Sequence, residues 1–485
     1  MAATTLRYER GPGPAVAVTL LLLFGVLSGV GIAFGEVEAM LASVAMIAAI
    51  GALIDFRVGA VVLMVMLPVS GIPLFPRSMF GFTGLNPINL LAGATLASFL
   101  LRGQRLSLLV PRPLLLLYVA PIALAGLLGS RHVNDIVPFF YENLLIHFTD
   151  GAGYLRDILF KPLVIVVVAL LVGAAVAQSK RPEGFLAPII LAVWAMSLTA
   201  IGFVLYSGVR LGELSTTGAR EFFSSLGMHA NDLGRMYAVA YALLLFTWGE
   251  TKDKALKTVL VLTMGVLTIA LTLTFSRGAF VGFLLINALF LLWKFNARTL
   301  AIAVLVGAIG LLLMPGAVVS RMMMGFGGGG DVNTVSAGRI DEIWGPLFMF
   351  DFWKSPLWGS GLDSVMWANA AWNGSMLLVT HPHNAYLQAW LDMGLIGLCL
   401  LLAYFWHVWK GLLSLGSNAY ISPTLRGFFQ GAVAGLICFL ATGMAGSSLR
   451  PVQEFTFLWL AIGMMYGVRA RSPEKTATGA AKPKP

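Results

Sequence analysis

The sequence predicts an all-α polytopic membrane protein, and three observations carry that prediction: composition, the lengths of the apolar runs and the placement of positive charge. Of 485 residues, 58% are hydrophobic and 11% charged, against roughly a quarter charged in an ordinary soluble domain. Lipid is the solvent that accommodates so much apolar surface. A bilayer-crossing helix needs about 20 mainly apolar residues. Candidate runs fall at 14–34, 39–54, 58–72, 88–101, 113–128, 162–177, 186–206, 233–248, 258–275, 279–293, 299–314, 386–406, 427–446 and 453–468. Several are short enough to tilt, re-enter or merge, so about twelve to fourteen transmembrane helices are expected, in a single integral membrane domain over 1–468. Arg7 and Arg10 precede the first run as in a signal peptide. That run is too long for an h-region and no small-x-small cleavage site follows it, so it reads as a retained span. Residues 469–485 are mostly Lys, Arg, Pro, Ala and Thr without hydrophobic periodicity, the composition of a disordered tail.

Loop charge sets the orientation, because Lys and Arg are retained on the cytoplasmic side. Alternate short loops collect Arg57, Arg102, Arg105, Arg112, Lys180, Arg181, Lys252, Lys254, Lys257, Lys294, Arg298, Lys410 and Arg426. Both termini are then cytoplasmic, and the long segments 129–161, 207–232 and 315–385 are periplasmic. Five of the six histidines, His132, His147, His229, His381 and His383, lie in those segments. Arg210, Arg220, Arg321, Arg339 and Arg450 lie on the same side, and Arg277 opens onto it. The net charge of +10 therefore reports topology, since nucleic-acid binding wants basic residues clustered on one face. Cys399 and Cys438 sit inside apolar runs, which excludes a disulfide framework and a cysteine-rich metal site. No Walker loop, dinucleotide fingerprint or Asp-x-Asp pair is present, so whatever is transformed arrives already activated.

Three constellations hold chemistry-bearing residues. In Thr274-Phe275-Ser276-Arg277-Gly278-Ala279, a break between two apolar runs, Arg277 offers a permanently charged fork suited to phosphate oxygens, or else snorkels to lipid headgroups. In the stretch from Arg220 to Arg235, Asn231 or Asp232 is expected to cap a helix whose N-terminus suits an anion. The plain alternative is an Asp232–Arg235 pair at i, i+3. In Thr380-His381-Pro382-His383-Asn384-Ala385-Tyr386, two histidines beside Asn and Tyr offer a general base and hydrogen bonds to hydroxyls. A structural cap is the alternative there. Metal ligation is disfavoured because no further ligands stand at zinc spacing. Asp392, an acid inside a span, is not paired with His383. Ahead of this motif, the loop 315–385 holds four consecutive glycines from Gly327, Gly338-Arg339, and Pro356-Leu357-Trp358-Gly359-Ser360-Gly361. Ile340, Trp344, Leu347 and Phe348 fall at helical spacing, so a short amphipathic helix lying in the membrane interface is expected, as a lid over a cavity open to the periplasm.

The order of these motifs over roughly 215–400 resembles the O-antigen ligase and O-antigen polymerase superfamily. They are Ser-Arg-Gly, then the long loop with Pro-Leu-Trp-Gly-Ser-Gly, then His-Pro-His-Asn-Ala-Tyr-Leu and Gly-Leu-Ile-Gly. The resemblance implies a GT-C-like, metal-independent and inverting glycosyltransferase of the bacterial inner membrane, without cofactors. Its donor would be a glycan on undecaprenyl pyrophosphate, and its acceptor a second such glycan or the lipid A-core. Carried onto this chain, the resemblance implies His383 as the catalytic residue and Arg277 with Arg220, or Arg210 in its place, as donor pyrophosphate ligands. His381, Asn384, Tyr386 and Arg339 would stand on the acceptor side. A polymerase is favoured narrowly over a ligase. A transporter or flippase is the alternative from another class, and would show broken helices in two related halves.

Overall fold

Apart from a two-residue antiparallel ladder pairing Ser78–Met79 with Phe82–Thr83, regular structure among the described residues is helical. The computed structural model describes residues 37–71, 78–79, 82–83, 86–102, 110–210, 213, 223–313, 316–323, 333, 336, 338–446 and 448–471. Thirteen of the apolar runs appear in it as helices. They are α1 (Val37–Ile54), α2 (Phe56–Val69), α3 (Pro87–Leu101), α4 (Arg112–Asp135), α5 (Gly151–Gln178), α6 (Pro182–Ser207), α7 (Ala230–Glu250), α8 (Lys254–Leu273), α9 (Arg277–Trp293), α10 (Ala297–Leu313), α11 (Ala385–Gly416), α12 (Pro423–Thr442) and α13 (Thr456–Arg469). Six of them, α4, α5, α6, α8, α11 and α12, are long and apolar enough to cross a membrane. The run at 14–34, Arg220, the four-glycine run and the tail beyond 471 lie outside the described residues.

Small residues let the central helices approach. On α12, Gly427, Gly431 and Gly435 face Phe246, Ala242 and Val239 of α7 in reverse order, so the two helices are antiparallel, and a Cβ at Gly427 or Gly431 would strike α7 backbone. Gly463 and Gly467 of α13 lie against the carbonyls of Ala169 and Gly173, which makes α13 parallel to α5. Dispersion at such short separations is what associates helices where lipid removes the hydrophobic drive between them.

The two ends of the bundle differ chemically. At one end Glu250 of α7 is paired with Lys294 after α9 and with Arg426 of α12 (2.6 Å). Asp55 caps α2 and pairs with Arg57, and Arg102 donates to the Ile54 carbonyl. These residues come from the loops that the charge rule assigns to the cytoplasm. The long connections gather at the other end.

One helix is discontinuous. The run at 386–406, which reads as a single span, is interrupted at Gly394, whose φ of 67° and ψ of −178° are not helical. A break inside a helix strands carbonyls on one side and amides on the other. Here the Pro356–Gly361 segment satisfies both. The N–H groups of Ser360 and Gly361 donate to the Leu391 and Asp392 carbonyls at 2.8 and 3.0 Å. The N–H groups of Leu395 and Ile396 donate to the Pro356 and Leu357 carbonyls at 2.9 and 3.2 Å. Trp390 adds an indole N–H to the Pro356 carbonyl at 2.9 Å. Pro-Leu-Trp-Gly-Ser-Gly and Asp-Met-Gly-Leu-Ile-Gly are thus two halves of one joint. Both Gly359 (φ 75°) and Gly394 have left-handed φ, and a Cβ on either would enter the opposing backbone.

The same strap is buried from Gly359 to Asn369. The Leu362 N–H donates to the Ala125 carbonyl of α4, and Tyr154 of α5 donates its hydroxyl to the Leu362 carbonyl at 2.5 Å. This part of the long loop is therefore core.

Gly394→Ala is expected to cost several kcal/mol, since backbone strain at one such residue alone is worth about 1–3 kcal/mol. The monodisperse peak of the detergent-solubilised protein should be lost. Gly265→Ala, with open space at its Cβ on α8, should leave that peak unchanged.

Candidate functional site

The Ser-Arg-Gly break is built by a cap and a strained residue. Ser276 is the N-cap of α9, its hydroxyl accepting the Ala279 N–H at 3.3 Å. The residue before it, Phe275, has a φ of 49°. Arg277 is therefore the first residue of α9, half-buried at the helix mouth. Gly234 of α7 lies against Thr274, Ser276 and Ala279, which brings the first turn of α7 beside the break.

The His-Pro-His-Asn turn is built the same way. Asn384 caps α11, its carboxamide oxygen accepting the N–H of Tyr386 at 3.0 Å and of Leu387 at 3.2 Å. His383, just before the cap, has a φ of 53°. Left-handed backbone is costly for a residue with a Cβ and clusters where surroundings enforce a functional geometry. The His381 and His383 rings pack edge to face with centroids 4.3 Å apart, and His381 Nδ1 lies 3.0 Å from the Thr380 hydroxyl. Tyr386 donates its hydroxyl to the Leu440 carbonyl of α12 at 2.6 Å, so this group holds the turn in place.

A helix at the expected place is bonded to this turn. Residues 339–351 are helical with wide π-type turns, and Trp344 donates its indole N–H to the Pro382 carbonyl at 2.7 Å. Of the apolar positions Ile340, Trp344, Leu347 and Phe348, Leu347 is buried and Phe348 exposed. Ile343 and Asp351 are buried too. Burial pushes the Asp351 carboxyl up to about 6, and Asn373 donates to it at 3.1 Å.

Between the break and the turn lies a set of buried charges. Arg235 donates to Asp232 (2.5 Å) and Glu454 (3.0 Å), which is the plain reading of that pair. The cap of α7 is His229, whose Nδ1 accepts the Asn231 N–H, in place of the expected Asn231 or Asp232. With helical geometry starting at Ala230, those two residues already belong to the first turn. Arg450 donates to Asp363 (2.5 Å), tying the strap to the connection before α13. Asp392 accepts from Gln388 at 2.7 Å and stands within electrostatic reach of Asp363 and Arg450. The fields of Asp232, Asp363, Arg235 and Arg339 all reach His381. His381 thus stands within electrostatic reach of charges on α7, on the strap and at the start of the 339–351 helix. Arg210 is exposed at the end of α6, its N–H bonded to Glu213, and Arg220 lies outside the described residues.

The charged residues that reasoning from sequence passed over are Asp363 and Glu454. Asp363 lies inside the long segment 315–385 and Glu454 at the start of the last apolar run, and only folding pairs them with arginines 87 and 219 positions away. Among the described residues, no three His, Cys, Asp or Glu side chains are grouped to hold a metal ion.

Residues 258–402 match the O-antigen ligase family. An O-antigen ligase domain is therefore present over less than a third of the chain, from the start of α8 into α11. The match contains Arg277, Arg339, His381, His383, Asn384 and Tyr386, and excludes Arg210, Arg220, Arg235 and Arg450. No curated protein matches the sequence.

Burial holds the His381 imidazole below its usual 6.5, against the raising fields of Asp232 and Asp363. The unfolded chain then binds this proton first as pH falls, so the associated stability is complete above about 6.5 and is lost as pH drops towards the folded value. In thermal unfolding between pH 7.5 and 5, His381→Gln should show a shallower decline than the wild type.

Proposed function

We infer that this protein is a membrane glycosyltransferase of the O-antigen ligase kind, moving a glycan from undecaprenyl pyrophosphate to a saccharide acceptor, with the lipid A-core as the favoured acceptor. The observation that carries the reading is that one family match contains both the Ser-Arg-Gly break and the His-Pro-His-Asn turn, two strained, capped segments that border one charged cluster. The narrow preference of the sequence for a polymerase gives way here, because the matched family is the ligase. Loop charge supports a periplasmic site, cytoplasmic termini and a bacterial inner-membrane location.

In this reading the acceptor hydroxyl attacks the anomeric carbon as the bond to the pyrophosphate oxygen breaks. The electron pair leaves with the pyrophosphate-lipid, from the face opposite to attack, which inverts the anomeric centre. Arg277, with Arg220 or Arg210, stabilises the charge that grows on the leaving oxygens. His383 accepts the hydroxyl proton or orients the hydroxyl. Asn384 and Tyr386 act by holding the His383 turn, through the cap and the Leu440 bond. His381 and Arg339 stand on the acceptor side. No step calls for a metal.

A transporter would also use a discontinuous helix such as α11, with freed backbone groups coordinating its cargo. Here the groups freed at Gly394 already bond to the Pro356–Gly361 strap, which leaves that reading without its binding atoms.

The test is transfer by purified protein from a lipid-linked glycan to a lipid A-core acceptor. Arg277→Ala should lower turnover roughly 10²–10³-fold. His383→Gly should lower it roughly 10²–10⁴-fold without loss of stability, since glycine accepts the left-handed backbone that histidine strains. Wild-type transfer by both variants would show the roles to be wrong. A strain lacking the protein should accumulate long carrier-linked chains absent from the core. Single repeat units on the core would instead indicate a polymerase, and unchanged glycan with impaired solute uptake a transporter.

A further inference from the structure

Residues 348–358 leave a row of large apolar side chains uncovered on a segment that does not cross the bilayer. Met349 is 72% exposed, Trp353 69%, Leu357 51% and Trp358 71%, with Phe348 and Phe350 also exposed and a single charge, Lys354, among them. The opposite side of the segment is fully engaged. Asp351 and Phe352 are buried, and Phe352 packs on Trp390 of α11 with ring centroids 4.7 Å apart. The exposed row is therefore the free side of a well-anchored element.

The joint in α11 fixes how deep that row lies. Beyond Gly394, α11 continues from Leu395 past Lys410, which loop charge assigns to the cytoplasmic side. Leu395 to Lys410 is roughly 23 Å at 1.5 Å per residue, against a hydrocarbon core of about 30 Å. Leu395 and Ile396 therefore stand no further out than the hydrocarbon boundary on the side of the candidate site. Pro356 and Leu357 accept their N–H groups, so Leu357 and Trp358 are held at the same level by main-chain bonds. Trp and other amphipathic rings concentrate at that level, and a lysine beside them reaches lipid headgroups.

We propose that residues 348–358 are a membrane-surface anchor, with Met349, Phe350, Trp353, Leu357 and Trp358 inserted at the headgroup–acyl boundary of the leaflet that the candidate site faces. The occupant is the lipid surface itself. A soluble partner would have to displace lipid from a row that the α11 joint holds at the boundary. The same element carries Trp344, bonded to Pro382 between the two histidines. The anchor therefore sets the height of the lid helix, and with it the histidine turn, relative to the leaflet. The proposal is independent of which reaction the site performs.

The experiment places nitroxide labels on Met349→Cys, Trp353→Cys and Trp358→Cys, one at a time, in a Cys399→Ala, Cys438→Ala background. The full chain is reconstituted in vesicles of phosphatidylethanolamine and phosphatidylglycerol. Glu142→Cys, exposed on another connection at the same end, is the aqueous reference. At the three anchor positions, collisions with dissolved oxygen relative to a water-soluble nickel chelate should exceed the reference several-fold. Ratios equal to the reference would place the row in water and overturn the proposal. Protection from both reagents would show a covering protein surface, and would overturn it as well. The labels replace side chains that face outward, and circular dichroism with a monodisperse elution profile identifies labelled chains that have folded.

Discussion

The joint between the strap and the broken helix is the interaction on which the rest of the site end depends. Four main-chain bonds between Pro356–Gly361 and residues 391–396 let α11 stop, turn and resume at membrane depth without an unpaired backbone group. In lipid each such group costs several kcal/mol, so the break is permissible only with the strap in place. The strap in turn is held by α4 and α5 through Ala125 and Tyr154. The part of α11 before the break, residues 385–393, carries the His-Pro-His-Asn turn against α12 through Tyr386.

Strain and charge follow from that arrangement. Phe275, Asp363 and His383 all have positive φ, at the Ser-Arg-Gly break, the strap and the histidine turn respectively. Their surroundings over-determine them: a cap follows Phe275 and His383, and the Arg450 ion pair holds Asp363. Burial of Arg235 with two acids, and of Arg450 with Asp363, is weak evidence for stability because desolvation offsets the attraction. What these pairs supply is position. Glu454 and Arg450 lie on the connection before α13, so they fasten that connection to α7 and to the strap, and close the charged cluster from the side that the family match does not cover.

Much of the architecture was legible in the chain. Thirteen apolar runs became helices because a lipid-crossing helix must be apolar along its length, most within a few residues of their expected limits, while α4, α5 and α11 run seven to eleven residues beyond theirs. Ser276 and Asn384 were legible as motif residues, although their capping roles emerged only from the fold. The apolar spacing at Ile340, Trp344, Leu347 and Phe348 marked the helix at 339–351, but only the fold decided that Leu347 is buried while Phe348 stays exposed. The α7 cap was displaced to His229 because an imidazole nitrogen accepts an N–H as a carboxylate does, and cap preferences rank it low.

Composition and loop charge by themselves determined that this is a multi-pass α-helical membrane protein, and they separated its basic end from its histidine-bearing end, since the cost of burying charge in lipid acts residue by residue. Motif order pointed to the O-antigen ligase superfamily, whose ligase family then matched 258–402. Tertiary structure alone decided that the span near 386–406 is two helices, that Pro-Leu-Trp-Gly-Ser-Gly is the partner of its break, and that Asp363 and Glu454 belong with distant arginines. Those are main-chain and charge pairings between segments far apart in sequence, and no local pattern encodes which donor will meet which acceptor.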